Sequence, residues 1–442
     1  MESWKKISEE LRLNGSDEAR IALLRQNTRG DRVIWSIVAF LVIFSLLAVY
    51  SSTGTLAYAQ FQGNTSYFLF KQVCFIIIGV AIIYFTHLAD YRLFSKVALW
   101  LYIISIPLLI YTLFFGANLN EASRWIKLPV INLTFQTSDF ARLALFMYLA
   151  RQLSRKQKMI RDFKTGFLPL IIPIAITCLL IAPANLSTAL LTGAAGLLLL
   201  FLGRVSMKHL LITIGICALP VLLLVIMAAA TYHPGVHEGM AKTSESRISN
   251  NIQSTGRMGT WMKRIQDFRY AEGDAVPYQL QQAKIAIAKG SWLGLGPGNS
   301  EQRNYLPHPY SDFIFSIIIE EYGIAGGMLV MMLYLIFLYR CILLLRKAPR
   351  AFGAFLALAL SITLVIQAAT NMAVNVGLFP ITGVTLPLIS MGGTSFLFTC
   401  FAIGIILSVS RHIQQAEGQE EVPVMAAISE TEKQNEKHNQ DA

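Results

Sequence analysis

Long apolar runs alternate with short polar connections along this chain. Read at the length a helix needs to cross a bilayer, about 20 residues, the runs fall at 33–52, 67–87, 94–115, 139–153, 166–183, 187–203, 209–230, 312–339, 352–375 and 392–410. They predict about ten membrane helices rather than the short alternating strands of a barrel. The fourth run, DFARLALFMYLAR, and the sixth are short, which predicts helices that are tilted, partial or shielded from lipid by their neighbours. The fold class is therefore all-α and polytopic.

Three polar regions frame this membrane domain of residues 33–410. Residues 1–32 open with MESWKKISEELRLNG, polar and mixed in charge, which is neither a signal nor a transit peptide. Residues 411–442 are polar and acidic and are expected to be disordered. A long loop at about 231–311 contains QLQQAKIAIAKG, with helical spacing suited to an interfacial helix, and the turn GLGPGNS. No strand precedes those glycines, so they do not form a dinucleotide site.

Charge sets the orientation. Arg20 to Arg32, Arg92, Arg151 to Lys164, Arg204 with Lys208, Arg340 to Arg350 and Arg411 all fall on one side, while 53–66, 184–186 and 376–391 lack Lys and Arg. The basic side is expected to be cytoplasmic, with both termini inside. Loops as long as 231–311 escape that rule, leaving their cations available for binding. Composition agrees with an integral membrane protein: 54% hydrophobic, 14% charged, mean hydropathy +0.52. The net charge of +11 sits mainly between the apolar runs, so no nucleic-acid role is expected. The five cysteines, Cys74, Cys178, Cys217, Cys341 and Cys400, occur singly without CxxC, which indicates neither a disulfide framework nor a zinc site.

Candidate chemistry concentrates at LPHPYSDFIFSIIIEEYG, Leu306 to Gly323, where Asp312, Glu320 and Glu321 enter the head of an apolar run. Acids there carry a substantial insertion cost and point to function. On a straight helix Asp312 would stand about 42 Å, and Glu320 about 30 Å, from Arg340. Against a hydrocarbon core of about 30 Å this puts Asp312 among headgroups and Glu320 at the core edge. A proton carrier belongs near the midplane, whereas a group acting on a lipid headgroup belongs where Asp312 is placed. The competing reading of Asp312 is a helix N-cap. Glu320 and Glu321 read as structural, paired with Arg or Ser from neighbouring spans.

Three further stretches are too polar for sealed lipid-facing helices. NEASRWIKLP at 120–129 presents Arg124, Trp125 and Lys127, which could equally snorkel or join an aromatic belt. QTSDFAR at 136–142 presents Gln136, Ser138, Asp139 and Arg142. NMAVNVGLFPITGVTLPLISMGGTS at 371–395, with Pro380, Pro387, Gly377, Gly383, Gly392 and Gly393, has the composition of broken helix lining a cavity.

Together LPHPYSDFIFSIIIEEYGIAGG, NVGLFPITGVTLPLISMGGTS, EASRW and QTSDFAR resemble the SEDS family of peptidoglycan polymerases, whose branches are FtsW and RodA. The resemblance implies a glycosyltransferase that polymerises lipid II outside the bacterial cytoplasmic membrane. Implied partners are a class B penicillin-binding protein and other division membrane proteins; no cofactor is implied, and a divalent cation is left open. Asp312 falls on the family's essential acid and would act as general base. Arg124, Lys127 and Arg264 would stabilise the diphosphate, and Trp125, Gln136, Ser138, Asp139, Arg142, Ser390, Gly392 and Gly393 would bind substrate. Glu320, Glu321, Asn371, Asn375, Pro380 and Pro387 would support the site. Departures occur where the family's Gln-Pro-Ser-Glu...Lys reads Gln136, Thr137, Ser138, Asp139 and Arg142, and where Asn185 replaces an acid. In LPHPYSDF, His308 and Tyr310 replace the usual Glu and His. The polar tails, EASRW and TLPLISMGGTS lean to the FtsW branch over RodA. A lipid flippase and a non-enzymatic division scaffold are the alternatives.

Overall fold

Asp31 starts the first helix by accepting from the amides of Val33 and Ile34, two of the donors that every helix leaves unbonded at its start. The computed structural model describes residues 30–54, 65–119, 122–127, 134–231, 256–270, 276–391 and 393–416. Helix α1 spans Arg32–Ser52, α2 Thr65–Leu88 and α3 Tyr91–Phe115, the last capped by Asp90. A small antiparallel sheet of β1 (Ala117–Leu119), β2 (Ala122–Lys127) and β3 (Thr134–Gln136) leads straight into α4, Thr137–Arg155. Helices α5 (Leu168–Ile181), α6 (Leu186–Leu202) and α7 (Met207–Ala230) follow, then α8 (Gly256–Tyr270) and α9 (Tyr278–Gly290). Helices α10 (Ile314–Lys347), α11 (Ala351–Asn375) and α12 (Thr394–Ala416) complete the bundle.

Helices occupy all of the ten positions where the sequence predicts spans. Eight are long and apolar enough to cross a membrane, α5 together with the π-helical turn Phe163–Phe167 before it; α4 and α6 are the exceptions. Helix α6 is short, at 17 residues, and α4 carries Asp139, Arg142 and Gln152. The shortness of the fourth run has a packing cause: α4 is central, with Ala141, Leu145, Phe146, Met147, Leu149 and Ala150 fully buried. A helix enclosed by other helices needs no lipid-compatible face. Helix α11 is central too, with 89% of its apolar window buried, whereas α7 is peripheral at 6%.

Helix α10 is not the straight rod that the sequence arithmetic assumes. It starts at Ile314, ends at Lys347 and breaks at Gly323, where φ is 70° and ψ −178°. Residues 291–296 dock into the break as backbone. The amides of Leu295 and Gly296 donate to the carbonyls of Glu320 and Glu321, and those of Ile324 and Ala325 donate to Ser291 and Trp292, at 2.9 to 3.3 Å. The kink thus exchanges helical hydrogen bonds for bonds to a second chain segment, so none of those groups is stranded. The expected interfacial position of QLQQAKIAIAKG is also corrected. Leu280, Ala283, Ala286 and Gly290 of α9 are buried, with Gly290 against the Ile319 carbonyl of α10, so protein covers this apolar stripe instead of lipid.

Unbroken α1 and α11 supply heights that the kink does not affect. The buried Asp31 carboxylate pairs with the Arg340 Nε and Nη2 at 2.9 and 2.6 Å, at the end where the basic residues gather. Ser51, 20 residues along α1 and therefore about 30 Å away, donates to Glu321 at the opposite end.

A Cβ at Gly323 would lie 2.1 Å from the Trp292 carbonyl oxygen, whereas one at Gly215 on α7 meets nothing within 4 Å. Gly323→Ala is therefore expected to cost several kcal/mol, adding a backbone penalty of about 1 to 3 kcal/mol to the clash. Gly215→Ala is expected to be neutral or slightly stabilising. Thermal unfolding of the purified variants checks both; equal midpoints would contradict the docking at Gly323.

Candidate active site

Asp312 lies in the turn before α10, half-buried, with its carboxylate accepting from the Ser311 hydroxyl at 2.8 Å. The N-cap position of α10 belongs to the next residue, Phe313. Two asparagines of α11 hold the turn by its backbone: Asn371 and Asn375 donate to the Asp312 main-chain carbonyl at 2.9 and 3.0 Å. Asn375 Oδ1 also accepts from the amide and hydroxyl of Ser316 at 3.1 and 2.7 Å, clamping the first turn of α10. On the other side, Ser390 donates to the Ser311 carbonyl at 2.7 Å, and the Met391 amide to Tyr310 at 2.9 Å.

These contacts fix the height of Asp312 without reference to α10. Asn371 and Asn375 stand about 30 and 36 Å along α11 from Ala351, so Asp312 is level with the far ends of the spans. Its neighbours in the turn include a His308 Nδ1 to Tyr310 hydroxyl contact of 3.1 Å. Burial pushes the Tyr310 phenol above its ordinary range and the adjacent Asp312 carboxylate adds to the effect, so Tyr310 stays neutral at physiological pH.

A second cluster lies deeper. Arg142 of α4 is buried and donates to Gln367 of α11 at 2.5 Å and to Asp139 at 3.4 Å. Gln136 bridges Ser138 and Asp139 at 3.1 and 3.4 Å, and Asp139 Oδ2 has no partner among the described residues. Gln367 also donates to the Thr385 carbonyl at 3.0 Å. The sheet joins this region through Thr394 of α12, which donates to the Thr134 carbonyl at 2.8 Å and accepts from the Gln136 amide. Strand β2 carries Arg124, Trp125 and Lys127, with Trp125 opposite Gln136 and half-buried. The Arg124 and Lys127 side chains lie outside the described residues, as does Gly392.

The non-helical segment 376–391 connects both clusters. Arg264 of α8 donates to its Ile381 carbonyl at 3.1 Å, Asn371 to Val384 at 2.7 Å, Tyr334 to Pro387 and Ser45 of α1 to Ile389 at 3.0 Å. Gly377 and Gly383 adopt positive φ here, Gly393 does so just beyond, and Pro380 lies in the segment without regular structure. Glu320 and Glu321 sit apart from Asp312 at the kink, both fully buried. Glu320 accepts from the Ser300 hydroxyl and the amides of Glu301 and Gln302. Ser51 donates to Glu321 and in turn contacts Arg303.

Gln367 is the residue that sequence reading passed over. With Asn371 and Asn375 it forms an i, i+4, i+8 polar stripe inside an otherwise apolar span, which is the available signal. Replacing it with leucine removes the closest acceptor of a buried guanidinium. Gln367→Leu is expected to lower stability by about 2 to 3 kcal/mol, the cost typical of a hydrogen bond to a charged group, read as a lower unfolding midpoint. An unchanged midpoint would mean that Arg142 is held by other groups.

Relatives share this architecture. The chain is 32% identical over 392 residues to a Trichlorobacter lovleyi protein named probable peptidoglycan glycosyltransferase FtsW, covering 87% of this chain and 94% of that one. A protein of the same name from Thioalkalivibrio sulfidiphilus is 33% identical over 358 residues, covering 79% and 82%. Among solved structures, rod shape determining protein RodA of Thermus thermophilus superposes with a TM-score of 0.60 at 21% identity, covering 86% of this chain and 97% of that one. A chain from a peptidoglycan synthase complex, described for its structural coordination of polymerization and crosslinking, gives 0.62 at 23% identity, covering 87% and 99%. Those two likenesses establish the polytopic fold, and the match of residues 31–415 to the FtsW, RodA and SpoVE cell cycle proteins places the chain in that family.

Proposed function

We propose that this chain is a peptidoglycan glycosyltransferase that extends glycan strands from lipid II on the outer side of the bacterial cytoplasmic membrane, with Asp312 as general base. The observation that carries the role of Asp312 is its suspension at the far ends of the spans through its main-chain carbonyl, which leaves the carboxylate at headgroup height, where a lipid-linked sugar can reach it. The activity itself rests on the named relatives.

In this reading the 4-hydroxyl of the acceptor sugar attacks C1 of the donor sugar. The C1–oxygen bond to undecaprenyl pyrophosphate breaks, and the hydroxyl proton passes to the Asp312 carboxylate. Charge on the departing diphosphate is met by Arg124, Lys127 and Arg264, as cationic groups stabilise phosphoryl leaving groups. Trp125, Gln136, Ser138, Asp139, Arg142, Ser390, Gly392 and Gly393 line the substrate path. Glu320, Glu321, Asn371, Asn375, Pro380 and Pro387 brace it. The basic end faces the cytoplasm, as the positive-inside rule requires, and both termini lie there. A class B penicillin-binding protein crosslinks the product, and the polar tails, EASRW and TLPLISMGGTS support a role in septal synthesis with the FtsW branch. The synthase complex among the structural neighbours supports such a partner.

A transport reading has one observation in its favour, the buried Asp139 and Arg142 pair in a central helix. Its distinguishing result is lipid II translocation in proteoliposomes that survives loss of Asp312 and fails on loss of Arg142.

Asp312→Asn keeps the backbone carbonyl that the asparagines hold and removes the base. It is expected to lower polymer formation from lipid II by about 10² to 10⁴, the usual worth of general-base help, with an unchanged unfolding midpoint. A gel assay of glycan strands, with and without a co-expressed class B penicillin-binding protein, checks this; polymerisation at the wild-type rate would refute the assignment.

A further inference from the structure

A second site lies at the opposite, basic end of the bundle. A cavity of about 190 Å³ opens among α3, α11 and α12. Its floor is apolar: Tyr91 is buried, stacks on Phe352 with ring centroids 6.2 Å apart and meets His412 edge-on at 5.0 Å. Gly353 shapes that floor, since a Cβ there would stand 3.1 Å from the Tyr91 ring. Two guanidiniums, Arg92 and Arg350, stand at its rim, and both are exposed.

Among the described residues the charges around the cavity do not cancel. Asp90 is the carboxylate beside it there, and it is engaged three times: by the Arg92 amide at 2.9 Å, by Arg92 Nε at 4.0 Å and by His412 Nε2 at 3.6 Å. The Arg350 carbonyl accepts from the Ala354 amide at 3.4 Å, but its guanidinium has no hydrogen-bond or ion-pair partner among the described residues, although the residue occupies the N-cap position of α11. Basic residues at span ends act as topology signals wherever they fall on that surface. Here two of them converge with an imidazole on a pocket, which a topology signal does not require.

The position adds a second constraint. Arg92 begins α3, Arg350 precedes α11 and His412 lies in the last turns of α12, so the cavity sits at headgroup level whichever compartment it faces. From its rim, Leu93 and Trp100 continue along one face of α3, 50% and 66% exposed, with the exposed Lys96 between them at the headgroup end. A free anion would have no use for that wall, whereas a lipid would lay an acyl chain on it. We propose that the cavity seats the phosphodiester of an anionic phospholipid, with Arg92 and Arg350 holding the phosphate oxygens and Leu93 and Trp100 flanking an acyl chain. Basic pockets between spans are suited to such headgroups.

Native mass spectrometry of the full-length protein, delipidated in detergent and titrated with dioleoyl phosphatidylglycerol, tests this. Wild type is expected to retain the lipid in preference to dioleoyl phosphatidylcholine. The double variant Arg92→Gln with Arg350→Gln is expected to lose about thirtyfold in affinity, about fivefold for each cation removed. Lys164→Gln, on the connection between α4 and α5, is expected to leave retention unchanged. Arg92→Lys with Arg350→Lys is expected to restore most of the loss, and equal unfolding midpoints establish that all variants are folded. Equal retention by wild type and the Gln variant, or equal binding of the two lipids, overturns the proposal. So does saturable binding of inorganic phosphate that the Gln variant abolishes, if phosphatidylglycerol is not retained.

Discussion

A non-helical segment inside a membrane bundle must have its carbonyls bonded by protein, because lipid offers no donors. Segment 376–391 meets that constraint with donors from several helices. Ser45 of α1, Arg264 of α8, Tyr334 of α10, and Gln367 and Asn371 of α11 each reach a different carbonyl of it. The segment is therefore a hub, and displacing it would strand acceptors against many helices at once. That cost, about 1 to 3 kcal/mol for each unsatisfied group, makes its shape a property of the whole bundle. The turn carrying Asp312 inherits the same rigidity, since Ser390 and Met391 bind the carbonyls of Ser311 and Tyr310.

The polar stripe of α11 couples the two clusters at different depths. Gln367 holds the Arg142 guanidinium and the Thr385 carbonyl, Asn371 holds Val384 and Asp312, and Asn375 holds Asp312 and Ser316. Successive members are one turn apart, about 6 Å along the axis. One face of one helix thus sets the spacing between the cation of α4 and the acid before α10. A substitution on that face would shift both, whereas the lipid-facing side of α7 is free to vary.

Much of this was legible in the sequence, and the remainder shows what periodicity cannot encode. Apolar run lengths located the starts of the helices to within a few residues, since each must bury its backbone bonds internally, but α10 and α12 run on past the predicted ends at 339 and 410 to Lys347 and Ala416. Asp312 was visible as an acid at the head of an apolar run, Asn371, Asn375 and Ser390 followed from the family resemblance, and the structure brings the four together. The break at Gly323 was not legible: its cause is segment 291–296, and nothing local in EEYGIAGG announces a partner some thirty residues upstream. For the same reason the apolar stripe of α9 could be read as interfacial, since amphipathicity reports a buried face without saying what buries it. Gln367 was passed over because one amide in an apolar span carries little weight until its i+4 and i+8 neighbours are counted with it.

The three acids near the head of α10 are held in two different ways. Glu320 and Glu321 are fully buried, and their oxygens take donors from Ser300, Ser51 and the amides of Glu301 and Gln302. Glu320 thereby holds residues 300–302 on the helix, while Glu321 ties the kink to Ser51 of α1 and keeps Oε2 buried without a hydrogen-bond partner among the described residues. Asp312 is secured differently. The asparagines grip its main-chain carbonyl, so position is fixed by the backbone rather than by the half-buried side chain, which accepts from Ser311. The proposed general base would need that separation, because the bonds that locate such a group cannot be the bonds its reaction uses.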